Sequence, residues 1–262
     1  MPDEQEPAVS ATEPITEPAS APATLEQAPQ PAPAPTPEPE PNTIDLDDFL
    51  NTQPANSPTP RIRVALPEAD RMAVVGILTD DSGSMEELKS AVIEGLTLSI
   101  EAFRGAKGSD FHLDVRGFKK SYFRGMLRDV KPESFNDYHP SHPKTPLVSY
   151  SIAHLKDLQS QASQYRNLGI PTTVALLIIT DGLPEGDNCY PEQFKDQLDA
   201  NDFVVAMGIA HQVDDKNYYV REYQALFAKM GITKLVTPSS AAAEVRHAIN
   251  QFSQSVASIA NA

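Results

Sequence analysis

Two acidic turns concentrate the side chains with the most chemical capacity in this 262-residue chain. The first is "VVGILTDDSGSMEE" (Val74 to Glu87), where an apolar run gives way to Asp80, Asp81, Ser82 and Ser84 around Gly83. The second is "TDGLPEGD", running from Thr180 to Asp187. Between them, Thr145 stands in "KTPL" at the start of a predicted helix. Carboxylates and hydroxyls are hard oxygen donors, suited to Mg²⁺, Mn²⁺ or Ca²⁺ rather than to zinc or copper. Two carboxylates and three hydroxyls converging on one point repel one another or stay unsatisfied without a cation. The first turn also has a purely local account. Ser84 with Glu87 three residues on fits a capping box, and acids near a helix start suit its dipole. On that account Asp80 to Ser84 offer side-chain oxygens to the orphan amides of the helix start. Taken alone, Asp-x-Ser-x-Ser does not choose between a cap and a metal loop.

The choice depends on the elements that carry these turns. "AVVGILT" (Ala73 to Thr79) and "TTVALLIIT" (Thr172 to Thr180) lack polar alternation, as strands buried on both faces do. A helix follows the first, with Leu88, Val92, Leu96, Ile100 and Phe103 on one stripe. "FHLDVRGFK" (Phe111 to Lys119) and "YFRGMLRDV" (Tyr122 to Val130) read as an antiparallel hairpin. A loop rich in Pro, His and Ser leads to a helix from about Pro146 to Tyr165. After the second buried strand come a short helix around Phe194 and Leu198, and the strand "DFVVAMGIA" (Asp202 to Ala210). A helix carrying Val220, Tyr223, Phe227 and Met230 follows, then the short strand "KLVTP". The last helix bears Val245, Ile249, Phe252, Val256 and Ile259. This order predicts an α/β, Rossmann-like, doubly wound and mostly parallel six-stranded sheet. It has one antiparallel edge strand and helices on both faces. Ligands of such sheets bind beyond the carboxyl ends of the strands, where the strand order switches. Asp80 and Asp181 end the two buried strands, so both turns open on one edge.

From Val74 to the C-terminus the chain resembles the von Willebrand factor type A domain, whose metal-ion-dependent adhesion site draws on three loops. The matching residues are Asp80, Ser82 and Ser84 in the Asp-x-Ser-x-Ser loop, Thr145 in "TPL", and Asp181 in Thr180-Asp181-Gly182. The resemblance implies that Ser82, Ser84 and Thr145 contact the ion through hydroxyls. It implies that Asp80 and Asp181 hold the ion largely through ordered water. Neutral oxygens leave the cation under-neutralised, so it takes an Asp or Glu of a partner protein at an open position. The expected cofactor is Mg²⁺, with Mn²⁺ or Ca²⁺ as alternatives. The resemblance implies a binding device more than a catalytic one. Intracellular members of the family often work beside AAA-type ATPases or in multi-protein assemblies. Two departures stand out: Pro143 and Lys144 replace the glycines the family often has before the Thr, and Asp81 occupies a position often neutral. Asp81 either faces the partner or caps the helix, and the cap is the expected role.

Other candidates carry less. "HPSH" (His139 to His142) has no third ligand at zinc spacing and reads as solvated loop. Cys189 lacks an activating motif. Glu185 and Asp187 lie on the rim of the second turn. Ser82 or Ser84 as a nucleophile needs a base that the sequence does not supply. The rival function is a Mg²⁺-dependent phosphoacceptor using Asp80 or Asp81, by analogy with the acidic pair of receiver domains. Against it stand the 100 residues between Asp81 and Asp181, the hairpin, and the absence of a strand-end lysine, where "GIAHQ" stands instead. A third possibility is a structural scaffold with a vestigial metal site.

Composition bounds the remainder. Residues 1–60 contain no Lys or Arg and eleven Asp or Glu, leaving 21 basic and 25 acidic residues in 61–262. Runs such as "PQPAPAPTPEPEP" offer too little apolar surface to offset ordering entropy. Residues 1–60 are therefore expected to be a disordered acidic spacer, with 61–262 as the folded domain. Within the spacer, "NTIDLDDFLN" (42–51) alternates apolar and acidic residues, as a docking motif for a second partner does. The acidic balance argues against nucleic-acid or anionic-membrane binding. No apolar run reaches the roughly 18 residues of a membrane span, and the N-terminus lacks a signal-peptide pattern. One cysteine excludes an internal disulfide. A cytoplasmic location is the expectation.

Overall fold

The computed structural model describes residues 67–210 and 216–260; the tail 1–60, with the 42–51 motif, lies outside the described residues. The first strand, β1 (Met72–Thr79), is buried along its whole length. Its side chains alternate between two cores. Ala73, Val75 and Ile77 enter one, and Met72, Val74 and Leu78 the other. This double burial is why the sequence needs no polar positions before Thr79. After a 3₁₀ segment, Gly83–Leu88, helix α1 (Lys89–Gly105) buries Val92, Leu96, Ile100 and Phe103, the stripe the spacing predicts. β2 (Asp110–Arg116) and β3 (Ser121–Met126) form the antiparallel hairpin.

The remaining elements are α2 (Leu147–Asn167), β4 (Thr172–Thr180), α3 (Pro191–Lys195), β5 (Phe203–Gly208), α4 (Lys216–Lys229), β6 (Lys234–Val236) and α5 (Ala242–Ala260). The sheet runs β3-β2-β1-β4-β5-β6, with every pairing parallel except β2 with β3. α1 and α5 cover one face, while α2, α3 and α4 cover the other. The expected doubly wound α/β sheet is therefore the observed one. β1 and β4 lie side by side at the centre, with the chain winding outward from them in both directions. Their carboxyl ends mark the switch point at which such sheets hold ligands.

Gly76, in mid-β1, allows α2 to seat closely. A Cβ there would lie 2.9 Å from His154 Nε2 and closer still to Leu158 Cδ1, both on α2.

Several predicted boundaries shift. The first hairpin strand ends at Arg116 and not Lys119, because the chain turns at Gly117, whose N–H bonds the Lys120 carbonyl at 2.9 Å. The second ends at Met126 and not Val130. Its ladder stops at the His112–Met126 pair, and the next residues, Leu127–Asp129, wind into a 3₁₀ turn. The predicted short helix stops at Lys195, before Leu198. Among the described residues, no helix is long and apolar enough to cross a membrane.

Candidate metal centre

β1 and β4 run in parallel register from Met72–Thr172 to Thr79–Ile179, so Asp80 and Asp181 leave the sheet side by side. Asp80 is fully buried. Its Oδ1 accepts the Ser82 N–H at 2.8 Å, and its Oδ2 accepts the Thr180 hydroxyl at 2.7 Å. The Tyr138 hydroxyl donates to the Asp80 carbonyl at 2.5 Å. Burial lifts the Asp80 carboxyl to about 6, against the lowering pull of the Ser82 and Thr180 hydrogen bonds. The neighbouring Asp181 charge adds a smaller push upward. Burial also drives the Tyr138 phenol well above its ordinary value.

The hydroxyls meet the second carboxylate. Ser82 Oγ lies 3.0 Å from Ser84 Oγ, and Ser84 Oγ donates to Asp181 Oδ1 at 2.8 Å. Adjacent ligands of an octahedral Mg²⁺, each about 2.1 Å from the ion, stand about 3 Å apart. The Ser82–Ser84 separation matches that edge, so the donor set fits a small hard cation. Thr145 is buried at the same edge. Its Oγ1 lies beside Gly182, 3.5 Å from where a Cβ would stand, an ordinary contact distance. Asp80, Ser82, Ser84 and Asp181 are thus linked at the switch point, and Thr145 stands beside Gly182. Two carboxylates alone do not form a cage: among the described residues, no group of three or more His, Cys, Asp or Glu is placed to hold a metal. Any ion here depends on the hydroxyls.

Two local expectations fail. Ser84 and Glu87 form no capping box: Ser82 is the N-cap of the 3₁₀ segment and its side chain makes no cap bond. Ser84 is drawn instead to Asp181, 97 positions away. Asp81 neither caps the helix nor faces a partner. It is buried, and its carboxylate accepts the N–H groups of Phe118 and Lys119, each at 3.1 Å. Those amides belong to the β2–β3 turn, which no local pattern ties to residue 81.

No local pattern in the sequence marks the supports of the Thr145 loop. Gly83 N–H bonds the His142 carbonyl at 3.2 Å, and Glu185 N–H bonds the Thr145 carbonyl at 2.9 Å. Asp187, expected on the rim, accepts the N–H groups of Val148 and Ser149 at 2.6 and 2.9 Å. It caps α2 from another loop, because the N-cap residue, Pro146, has no side-chain acceptor. His139 stays exposed and His142 half-buried, and among the described residues they belong to no group of three or more His, Cys, Asp or Glu placed to hold a metal. A 590 Å³ cleft lined by Arg71, Arg166, Thr172 and Asp199 includes none of the five residues.

No protein-family model and no curated protein matches the chain. Solved structures match its shape. The PilB minor pilin from Streptococcus sanguinis shares 12% identity at a TM-score of 0.53, over 75% of this chain and 64% of that one. The pilus adhesin SpaC from Lactobacillus rhamnosus GG shares 12% at 0.51, over 72% of this chain and 31% of that one. Proximal thread matrix protein 1 from the mussel byssus, with a zinc-occupied MIDAS motif, shares 14% at 0.51, over 72% and 49%. The chain spans less than two thirds of each of these structures. At such identities the likeness shows the fold alone, a doubly wound α/β sheet.

Proposed function

We propose that the chain is a divalent-metal-dependent protein-interaction module that takes an Asp or Glu of a partner protein through Mg²⁺. One observation carries this reading. Ser84 Oγ stands within hydrogen-bonding reach of both Ser82 Oγ and Asp181 Oδ1, joining two strand-end loops into one oxygen-lined point. Ser82, Ser84 and Thr145 offer neutral hydroxyls, while Asp80 and Asp181 hold the ion through water. A bound ion supplies an under-neutralised coordination position for an incoming carboxylate. Mn²⁺ and Ca²⁺ share the donor preference. The zinc-occupied MIDAS of the mussel protein is a further divalent case on a similar fold. The module is proposed to act in the cytoplasm, within a multi-protein assembly of the kind that includes AAA-type ATPases. The 42–51 segment would serve a second partner.

The phosphoacceptor alternative fares worse. Asp80 and Asp81 are both buried, and both oxygens of each already accept protein donors. Neither has an oxygen exposed for attack on a phosphodonor.

Titration with Mg²⁺ or Mn²⁺ tests the reading through thermal stability. A ligand that binds only the folded state at a hundred times its Kd adds about 2.7 kcal/mol. The wild-type midpoint should rise, and that of Asp80→Ala should not. No shift at millimolar metal, or an undiminished shift in Asp80→Ala, overturns it. A partner that binds equally well with and without chelator would instead favour a scaffold with a vestigial site.

A further inference from the structure

Asp81 sits between Asp80 and Ser82, yet its bonds run to two other loops. The carboxylate reaches the β2–β3 turn through Phe118 N–H and Lys119 N–H, with the Tyr122 hydroxyl at 3.4 Å. The main-chain carbonyl accepts Ser141 N–H at 2.7 Å and His142 N–H at 2.8 Å. Residues 82 and 142 form a parallel bridge, closed by Gly83 N–H on the His142 carbonyl. The turn is itself tied to the Thr145 loop, since the buried Phe118 ring packs edge-on to His142 at 5.8 Å. Gly117 completes the arrangement: a Cβ there would stand 2.6 Å from Asp81 Oδ2, so the turn approaches the carboxylate only because residue 117 has none.

We infer that Asp81 is a positioning residue for the metal centre, setting the distance between the Ser82–Ser84 hydroxyls and Thr145. The inference rests on the metal-module reading above and assigns Asp81 no contact with the ion. The reason is geometric. An octahedral ion accepts ligands only within a narrow range of separations, and Ser82 and Thr145 lie on different loops. The shortest covalent path between them is 63 residues, whereas the bonded path through Asp81 and His142 is a few residues long. The main-chain carbonyl makes that path, and the buried carboxylate, accepting two N–H groups, anchors it to the β2–β3 turn and so to Phe118 against His142. Removing partners that orient metal ligands lowers metal affinity about 10- to 100-fold.

The test is Mn²⁺ binding to the full-length chain, followed by the electron paramagnetic resonance signal of the free ion. Three chains are compared: wild type, Asp81→Asn and Gly117→Ala. Asn keeps the size of Asp81 but turns an NH₂ toward one of the two amides. Ala at 117 pushes the carboxylate away without altering residue 81. Both variants should bind Mn²⁺ at least tenfold more weakly at temperatures well below their metal-free midpoints. A role confined to stability would lower those midpoints and leave the affinity within twofold of wild type, which overturns the inference alone. A wild-type chain that takes up no Mn²⁺ at millimolar concentration overturns the metal reading as well. A readout in the wild-type chain covers the case in which neither variant folds. Saturating Mg²⁺ should slow hydrogen exchange at the Phe118, Lys119, Ser141 and His142 amides, and unchanged exchange there overturns the inference.

Discussion

Thr180 shows how much of the centre depends on single hydroxyls. It donates to Asp80 Oδ2 at 2.7 Å, and its oxygen accepts Gly182 N–H at 3.1 Å, so it links the two strand-end turns. Thr180→Val keeps the shape and removes both bonds. The buried carboxylate oxygen and the amide then lose their partners, at a cost of about 1–3 kcal/mol in the metal-free chain. Urea unfolding in chelator measures it, and an unchanged midpoint would mean that neither bond stabilises the fold. Asp80, Ser82, Ser84, Thr145 and Asp181 were legible in the sequence because donor type and strand-end position are local properties. Tyr138, which holds the Asp80 carbonyl from 58 residues away, carries no such mark. The role of Asp81 is hidden for the same reason. A helix follows it, so local rules assign it a cap, while its true partners arrive from a hairpin 37 positions on.

At the level of elements, α2 depends on another loop for its start. It starts after a proline, with no cap of its own, and borrows Asp187 from the loop after β4. That bond fixes the first turn of α2, and with it the Thr145 that precedes the helix. Asp187→Ala should cost about 0.5–2 kcal/mol, the usual value of a lost cap. Hydrogen exchange at Val148 and Ser149 should quicken while amides near Leu158 stay protected. Equal protection at both ends of α2 would show that the cap contributes nothing. The sequence displayed the elements themselves because burial on two faces, as in β1 and β4, leaves an unbroken apolar run. It hid their ends. Whether β3 continues past Met126 depends on a partner strand, and its ladder ends at His112. The borrowed cap was equally hidden, since it joins residues 38 and 39 positions apart.

For the molecule as a whole, the response to acid turns on groups buried in the sheet. His154 of α2 is fully buried against β1, and its Nε2 stands 3.8 Å from Asp114 Oδ1. Burial lowers its pKa from 6.5 to about 3; Asp114 and Asp157 pull upward and Arg116 pushes down. Between those values the unfolded chain binds a proton that the folded chain does not. Stability is therefore intact above pH 6.5 and is lost as pH falls toward 3, with a slope approaching about 1.4 kcal/mol per pH unit. Asp80 acts in the opposite sense. Its carboxyl is raised from 3.8 to about 6, so the folded metal-free chain binds the extra proton, and the stability this adds at low pH is lost as pH rises through 6. The two overlap, and a single acid-unfolding curve does not separate them. The difference between wild type and His154→Leu does, because Asp80 contributes equally to both chains. So does relief of the charge of −15. Asp114 keeps its ion pairs with Arg116 and Arg124 in the variant. Denaturant unfolding in chelator from pH 7 to pH 4 should show the variant gaining on wild type as pH drops. Parallel curves would mean that His154 takes up its proton without unfolding the domain.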